Sequence, residues 1–107
     1  MIRDAPDEHA YVIEVGEERA GKAVYRVREG RHVFVHTEIE PGFAGAGLGT
    51  MLVRFALEDI RSQGRLAVPI CPFFASFIEE HPEFLDIVDQ EMLDRYRSRA
   101  GKGEGDD

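Results

Sequence analysis

The chain has 107 residues, which is enough for one domain with one modest core. Its net charge of −8, from 21 acidic and 13 basic residues, argues against a protein that wraps nucleic acid without sequence specificity. No stretch reaches the roughly 20 apolar residues of a membrane span, and the first residues lack an apolar signal region. A single cysteine also excludes an internal disulfide framework. From these observations together we expect a cytoplasmic protein that is a monomer or homodimer and has no nucleic-acid or membrane partner.

Three stretches of alternating apolar and polar residues follow an acidic arm. Residues 1–8 are polar and acidic, and we expect them to form a loose arm. A turn over residues 16–21 and a second at Gly30 separate the alternating stretches. The pattern predicts an antiparallel meander of three strands, at residues 9–15, 22–28 and 32–40.

The third strand has two different faces if its side chains alternate regularly. The apolar face, which we expect in the core, consists of Val33, Val35, Thr37 and Ile39. The other face consists of His32, Phe34, His36, Glu38 and Glu40. This second face is too polar to be buried without a purpose, so it is either solvated or the wall of a site.

Residues 43–50, with glycines at 45, 47 and 49, connect this strand to an amphipathic helix. Glycines remove the Cβ atoms that would hold a ligand away from the backbone. A helix N-terminus also offers free amides and the positive end of the helix dipole. The run therefore suits a phosphate or pyrophosphate, although a glycine-rich connection can also serve only a tight turn.

Two known glycine signatures do not fit the run. A P-loop ends in Gly-Lys-Ser/Thr, but Gly49 is followed by Thr50 and Met51. The dinucleotide fingerprint has the spacing G-x-G-x-x-G after the first strand of a βαβ unit, whereas this run has G-x-G-x-G after a third consecutive strand. If the run binds phosphate, it does so in another fold.

The remaining elements alternate between helix and strand. Apolar spacing predicts a helix from Leu48 to about Gln63, with Gly64 as its C′ glycine. Residues 66–70 predict a short buried strand, and Pro69 places it at an edge of the sheet. We expect a short helix at 74–80, one more amphipathic helix over 84–96, and a disordered tail at 99–107.

In this order the pieces resemble the short, single-domain branch of the GNAT superfamily of N-acetyltransferases. The resemblance covers most of residues 9–88. We expect residues 1–107 to form one domain. It is carried by residues 36–38, the glycine run at 43–50, the helix residues 52–64, Cys71-Pro72-Phe73 and residues 81–84. It implies an α/β sandwich in which the strand meander is followed by the glycine loop, a helix, a strand and a helix.

The resemblance also implies acetyl-CoA as the cosubstrate. In GNAT proteins the loop that enters the main helix holds the CoA pyrophosphate, and the pantetheine arm lies between the strands that flank that helix, here 32–40 and 66–70. The implied CoA-binding residues are Ile39, Ala44, Gly45, Ala46, Gly47, Leu48, Gly49, Thr50, Cys71, Pro72, Phe73, Phe77 and His81. Ala44 departs from the superfamily pattern, which has Arg or Gln three residues before the central glycine.

Cys71 stands where the resemblance places the acetyl thioester. A free cysteine is more often a buried structural residue. A thiol near a thioester could instead accept the acetyl group or donate a proton to the departing CoA thiolate. An ordinary thiol pKa of about 8.5 suits the proton donor better than the nucleophile.

Glu38 and His36 are the candidate bases. GNAT enzymes often place a glutamate at the position of Glu38, and an amine must lose a proton to attack a thioester. A solvated strand-end glutamate is the alternative, and His36 could take the same role. A metal site is not expected on this face, because same-face neighbours in a strand stand about 6.5–7 Å apart.

His81 precedes a proline and is a cap, a packing residue or part of the CoA channel. The aromatic residues Phe73, Phe74, Phe77 and Phe84 are most simply core.

Two functions follow from the sequence. The first is a small acetyl-CoA-dependent N-acetyltransferase that acts on a small-molecule or peptide amine. The second is a non-catalytic acyl-CoA-binding or interaction module of the same fold. The joint presence of Glu38 and Cys71 favours the first, and turnover of acetyl-CoA with a panel of amines distinguishes the two.

Overall fold

In the part of the chain that the structure describes, five strands form one sheet in the order β1-β2-β3-β4-β5. The computed structural model describes the backbone of residues 1–106 and the side chains of residues 1–98. The strands are β1 (Ile2–Ala5), β2 (Ala10–Val15), β3 (Glu18–Arg28), β4 (Arg31–Ile39) and β5 (Leu66–Pro69). Neighbours from β1 to β4 are antiparallel, and β4 and β5 are parallel. β5 is an edge strand, as Pro69 predicted.

Over residues 1–106, three helices complete the mixed α/β fold, which confirms the predicted GNAT-like architecture. They are α1 (Leu48–Ser62), α2 (Pro72–Glu80) and α3 (Gln90–Asp106). Short 3-10 turns lie at Pro6–Glu8, Pro41–Phe43 and Pro82–Ile87. Gly64 has a φ of 71° and ends α1, as the sequence predicted. No helix of the described residues is long and apolar enough to cross a bilayer.

The main core lies between the sheet and the helices α1 and α2. Five apolar residues of α1 are fully buried there, namely Leu52, Val53, Ala56, Leu57 and Ile60, whereas Met51 and Phe55 are exposed. Phe74, Phe77 and Ile78 of α2 point inward, as predicted. A second, smaller cluster covers the opposite face of β4 and β5 and contains Val33, Val68, Met92 and Leu93. β4 is therefore covered on both faces.

A β-bulge in β4 corrects the predicted faces of this strand. Val24 pairs with His36, but the next residue of β3, Tyr25, pairs with Phe34, so Val35 is one extra residue. The bulge shifts the alternation by one residue. Thr37 and Ile39 keep the predicted core face, and they are joined there by Phe34 and His32, which the sequence assigned to the polar face. Val33 and Val35 face α3 instead.

β4 and β5 separate just after this point. Their parallel pairing ends at the pair Phe34 and Pro69, although β4 continues to Ile39. One further hydrogen bond, from the Cys71 amide to the Phe34 carbonyl at 2.9 Å, closes the pairing. The last part of β4 thus has an edge that β5 does not cover, and the gap opens toward the start of α1.

The N-terminal arm is a strand and not a loose segment. β1 pairs with β2 in a register that sets Ile2 opposite Ile13. Ala5 is buried beside Ala10, and Ile2 packs against the main core. Four residues are too short to show a period, but β2 would otherwise be an edge strand with unpaired backbone groups.

The predicted helix over 84–96 is divided in two. Val88 is extended and forms a bridge with Ala67 of β5. The Asp89 amide donates to the Ala67 carbonyl at 2.9 Å, and the Asp89 carboxylate accepts the Met92 amide at 3.0 Å. Asp89 is therefore the N-cap of a separate helix, α3.

α3 continues through Asp106, where the sequence predicted a disordered tail from Arg99. Once its first turn has formed, each further residue adds one hydrogen bond, which favours extension of the helix. Asp107 lies outside the described residues.

Candidate active site

The glycine loop presents an open N-terminus of α1. Gly45 and Gly47 have φ values of 86° and 76°, in the left-handed region that glycine tolerates best. Gly47 is the N-cap, and within the described side chains none caps the helix. The amides of the first turn, up to Thr50, have no carbonyl partner in a preceding turn. A Cβ atom built on Gly45 or Gly47 would meet no atom within 4 Å, so the space in front of the loop is free.

A groove of about 220 Å³ follows the loop. It is lined by Ile39, Phe43, Ala44, Gly45, Gly47, Leu48, Gly49, Thr50 and Phe73. These residues include most of the loop positions that the sequence assigned to CoA. Free amides and the helix dipole at one spot bind anions such as phosphate.

A larger cleft of about 520 Å³ lies where β4 and β5 separate. It is lined by Val35, His36, Thr37, Thr50, Cys71, Pro72, Phe73, Ser76, Phe77 and Glu80. Thr50 and Phe73 line both the groove and the cleft. The two spaces therefore lie side by side, one at the start of α1 and the other at Cys71.

Phe73 lies at the junction of the groove and the cleft. Its ring rests on Gly49: a Cβ atom at this glycine would be 2.7 Å from the ring Cζ atom. The side chain is 42% exposed, which is unusual for an aromatic residue placed beside a core. Gly49 is thus needed for a close contact between helix and ring, and the ring forms an apolar surface that lines both spaces.

Cys71 forms the floor of the cleft. It is only 4% exposed, and it occupies the N-cap position of α2, directly before Pro72. Its Sγ atom lies 3.4 Å from the Thr37 hydroxyl oxygen. The thiol is therefore held between the two strands that separate, at the inner end of the cleft.

His36 and Glu38 form an exposed pair beside the floor. The Nε2 atom of His36 lies 2.8 Å from Oε2 of Glu38. The hydrogen bond from His36 lowers the pKa of Glu38, and the positive charge of Lys22 also contributes. His36 lines the cleft, whereas Glu38 reaches it through His36.

His81, which the resemblance assigned to CoA binding, lines neither the groove nor the cleft but contacts Phe77, which lines the cleft. Its ring stacks on Phe77 with centroids 4.1 Å apart, and its Nδ1 atom is 3.8 Å from Glu83. Among the described residues no group of three or more His, Cys, Asp or Glu side chains could hold a metal ion.

Sequence reasoning missed Thr37, Ser76 and Glu80. Thr37 lies on its predicted face, but it lines the cleft there, because β5 ends before it and leaves this part of β4 uncovered. Ser76 and Glu80 could have been found from their spacing. Ser76 lies three residues after Phe73 and Glu80 lies four residues after Ser76, which places all three on one face of α2.

A family model described as GCN5-related N-acetyl-transferase matches residues 10–87 of the chain. The match begins in β2, ends in the 3-10 turn after α2, and contains the loop, the cleft and Cys71. β1 and α3 lie outside it. A comparison with curated proteins found no match.

Proposed function

This chain belongs to the GCN5-related N-acetyltransferase family, and on that premise we propose that it transfers an acetyl group from acetyl-CoA to an amine. One observation carries the proposal beyond the family. The groove at the open N-terminus of α1 and the cleft that contains the thiol of Cys71 are neighbours, and Phe73 lines both. The groove would take a phosphate, and the cleft holds the thiol that would donate a proton.

The loop fits the pyrophosphate of CoA. The space in front of Gly45 and Gly47 is free, and the first-turn amides of α1 need an acceptor. Ala44 offers no side-chain donor, so backbone amides supply the contacts in this proposal. Acetyl-CoA would bring an activated acetyl thioester, and the chain would bind and orient it along the free edge of β4.

In the reaction the amine nitrogen bonds to the acetyl carbon, and the bond from that carbon to sulfur breaks. The nitrogen must lose one proton, and the departing sulfur must gain one. His36 is the better placed base, because it lines the cleft and because a carboxylate with a lowered pKa is a weak base. Glu38 would hold the Nε2–H of His36, which leaves Nδ1 to accept the proton.

Cys71 would donate the proton to the departing sulfur, and solvent would return a proton to the thiol. Three results distinguish its roles. An acetyl group found on this cysteine after acid quench, without any amine present, indicates a covalent intermediate. Slow turnover of Cys71→Ala without such an adduct supports the proton donor. Full activity of Cys71→Ala leaves the residue a structural role only.

The acceptor in this proposal is a small-molecule or peptide amine. The net charge of −8 raises the encounter rate with cationic molecules, which favours an amine that is protonated in solution. The predicted cytoplasmic location stays a prediction.

The test is turnover of acetyl-CoA by the full chain with a panel of alkyl amines, polyamines and lysine peptides. Thiol release that depends on an added amine, with a matching acetylated product, supports the proposal. Binding of CoA without turnover for any amine would favour the non-catalytic acyl-CoA-binding module. Native mass spectrometry of the purified protein would detect co-purified CoA in either case.

A further inference from the structure

We propose that Thr37 is a positioning residue for Cys71: its hydroxyl group holds the sulfur atom at the floor of the cleft and donates a hydrogen bond to it when the thiol is deprotonated. The contact is 3.4 Å between Oγ1 and Sγ. What this contact does for acetyl transfer rests on the proposed function. The contact itself can be tested without that function.

The bulge in β4 places Thr37 there. In a regular strand residues 34 and 37 would point to opposite faces of the sheet. Because Val35 is an extra residue, Phe34 and Thr37 share the face that carries α1 and α2. A bulge commonly re-aims a side chain next to an active site in this way.

Two backbone hydrogen bonds, independent of the bulge, place Cys71 beside Thr37. Its amide donates to the Phe34 carbonyl at 2.9 Å, which fixes the cysteine beside β4 after the pairing with β5 has ended. Its carbonyl accepts the Ala75 amide at 3.0 Å and so begins α2. With the backbone held at both groups, the thiol has little freedom except rotation of its own side chain. The Thr37 hydroxyl therefore contacts a Cys71 Sγ atom whose position is fixed by the backbone.

The Thr37 hydroxyl can stabilise the thiolate form of Cys71, given the other groups that line the cleft. The titratable groups that line the cleft with Cys71 are His36 on β4 and Glu80 on α2, while α1 contributes the neutral Thr50. Glu38 is bound to His36. A hydrogen bond to the charged form of a group favours that form, and a threonine hydroxyl can rotate to donate to a thiolate or accept from a thiol.

The experiment measures alkylation of Cys71 by iodoacetamide as a function of pH, in the full chain, where it is the only cysteine. Thr37→Val removes the hydroxyl and keeps the shape. We expect the midpoint of its pH profile to rise by about one unit, which is about tenfold slower alkylation at neutral pH. Thr37→Ser keeps the hydroxyl, and its midpoint should stay near that of the parent.

An unchanged or lowered midpoint in Thr37→Val overturns the inference, and so does an equal shift in Thr37→Ser. If Thr37→Val does not fold, Thr37→Ala removes the same hydroxyl and carries the same expectation. In acetyl transfer Thr37→Val should lower kcat and leave KM for acetyl-CoA nearly unchanged. A shifted alkylation profile in a protein that turns over no amine would contradict the proposed function and leave the role of Thr37 standing.

Discussion

Replacing Gly49 by alanine should change stability and CoA affinity in opposite directions. The new Cβ atom would lie 2.7 Å from Cζ and 3.2 Å from Cε2 of Phe73, closer than carbon atoms can approach. Gly49 lies inside α1 and is not in the left-handed region, so its backbone accepts alanine. The partly exposed ring of Phe73, which lines both the groove and the cleft, must therefore move away from α1.

The expected magnitudes follow from this geometry. Alanine is favoured over glycine inside a helix by up to about 1 kcal/mol, and turning a half-exposed ring offsets part of that gain. The free energy of unfolding should thus stay constant or rise, with a Tm increase of at most about 4–8 °C. A displaced ring loses its contact with the ligand, so the Kd for CoA should rise about tenfold, which is about 1.4 kcal/mol.

Thermal unfolding and titration calorimetry with CoA measure the two effects. Gly42→Ala is the matched control, because a Cβ atom there meets nothing within 4 Å and the residue precedes the same loop. The double variant Gly49→Ala/Phe73→Leu should bind CoA as well as Phe73→Leu alone, since leucine has no atom at the ring Cζ position. Parent-like CoA affinity in Gly49→Ala would show that the ring of Phe73 does not lie in the ligand path.

Three further predictions concern the loop, the base and the cap of α3. Gly47→Glu should abolish CoA binding, whereas Gly47→Ala, which has the same left-handed strain, should lose less; equal losses would mean that strain and not charge is responsible. Glu38→Gln should lower kcat at neutral pH and retain CoA affinity, because His36 loses the carboxylate that holds its Nε2–H; an unchanged kcat removes Glu38 from the mechanism. Asp89→Ala should lower the free energy of unfolding by about 1 kcal/mol at neutral pH. The pKa of Asp89 is lowered first by the Met92 amide and then by Arg31, so its stabilising effect is complete above the ordinary aspartate pKa of about 3.9 and is lost as the pH falls through the lowered value. The free energy of unfolding is measured by chemical denaturation. If Asp89→Ala and the parent still differ below the lowered pKa of Asp89, this assignment is wrong.

Local signals predicted most of the fold. The spacing of apolar residues predicted α1, and Gly64 marked its end because a left-handed C′ residue favours glycine. Pro69 predicted an edge strand because a proline cannot donate to a second neighbour. These features depend on residues close together in the sequence, and the structure confirms them.

The faces of β4 could not be predicted in the same way. The sequence from Val33 to Val35 is apolar throughout, so either parity fits an ordinary strand pattern. The bulge is decided by partners far along the chain: α1 and α2 bury Phe34 on one face, while α3 buries Val33 on the other. Thr37 keeps its predicted face but lines the candidate site, because the pairing of β4 with β5 ends before this residue. β1 was missed for a similar reason, since its four residues gain order only by pairing with β2.

The cleft results from three departures from regular structure, and each contributes a different part of it. The bulge at Val35 turns Thr37 toward the thiol, the end of pairing at Pro69 leaves an edge of β4 open, and Gly49 makes room for an aromatic ring. Each departure gives up backbone pairing or side-chain packing that a regular sheet or helix would keep. α3 offsets part of that loss, because it buries the second face of β4 and β5 behind the cleft. Since α3 lies outside the region that matches the family, an element beyond the family core supports the strands on which the proposed chemistry depends.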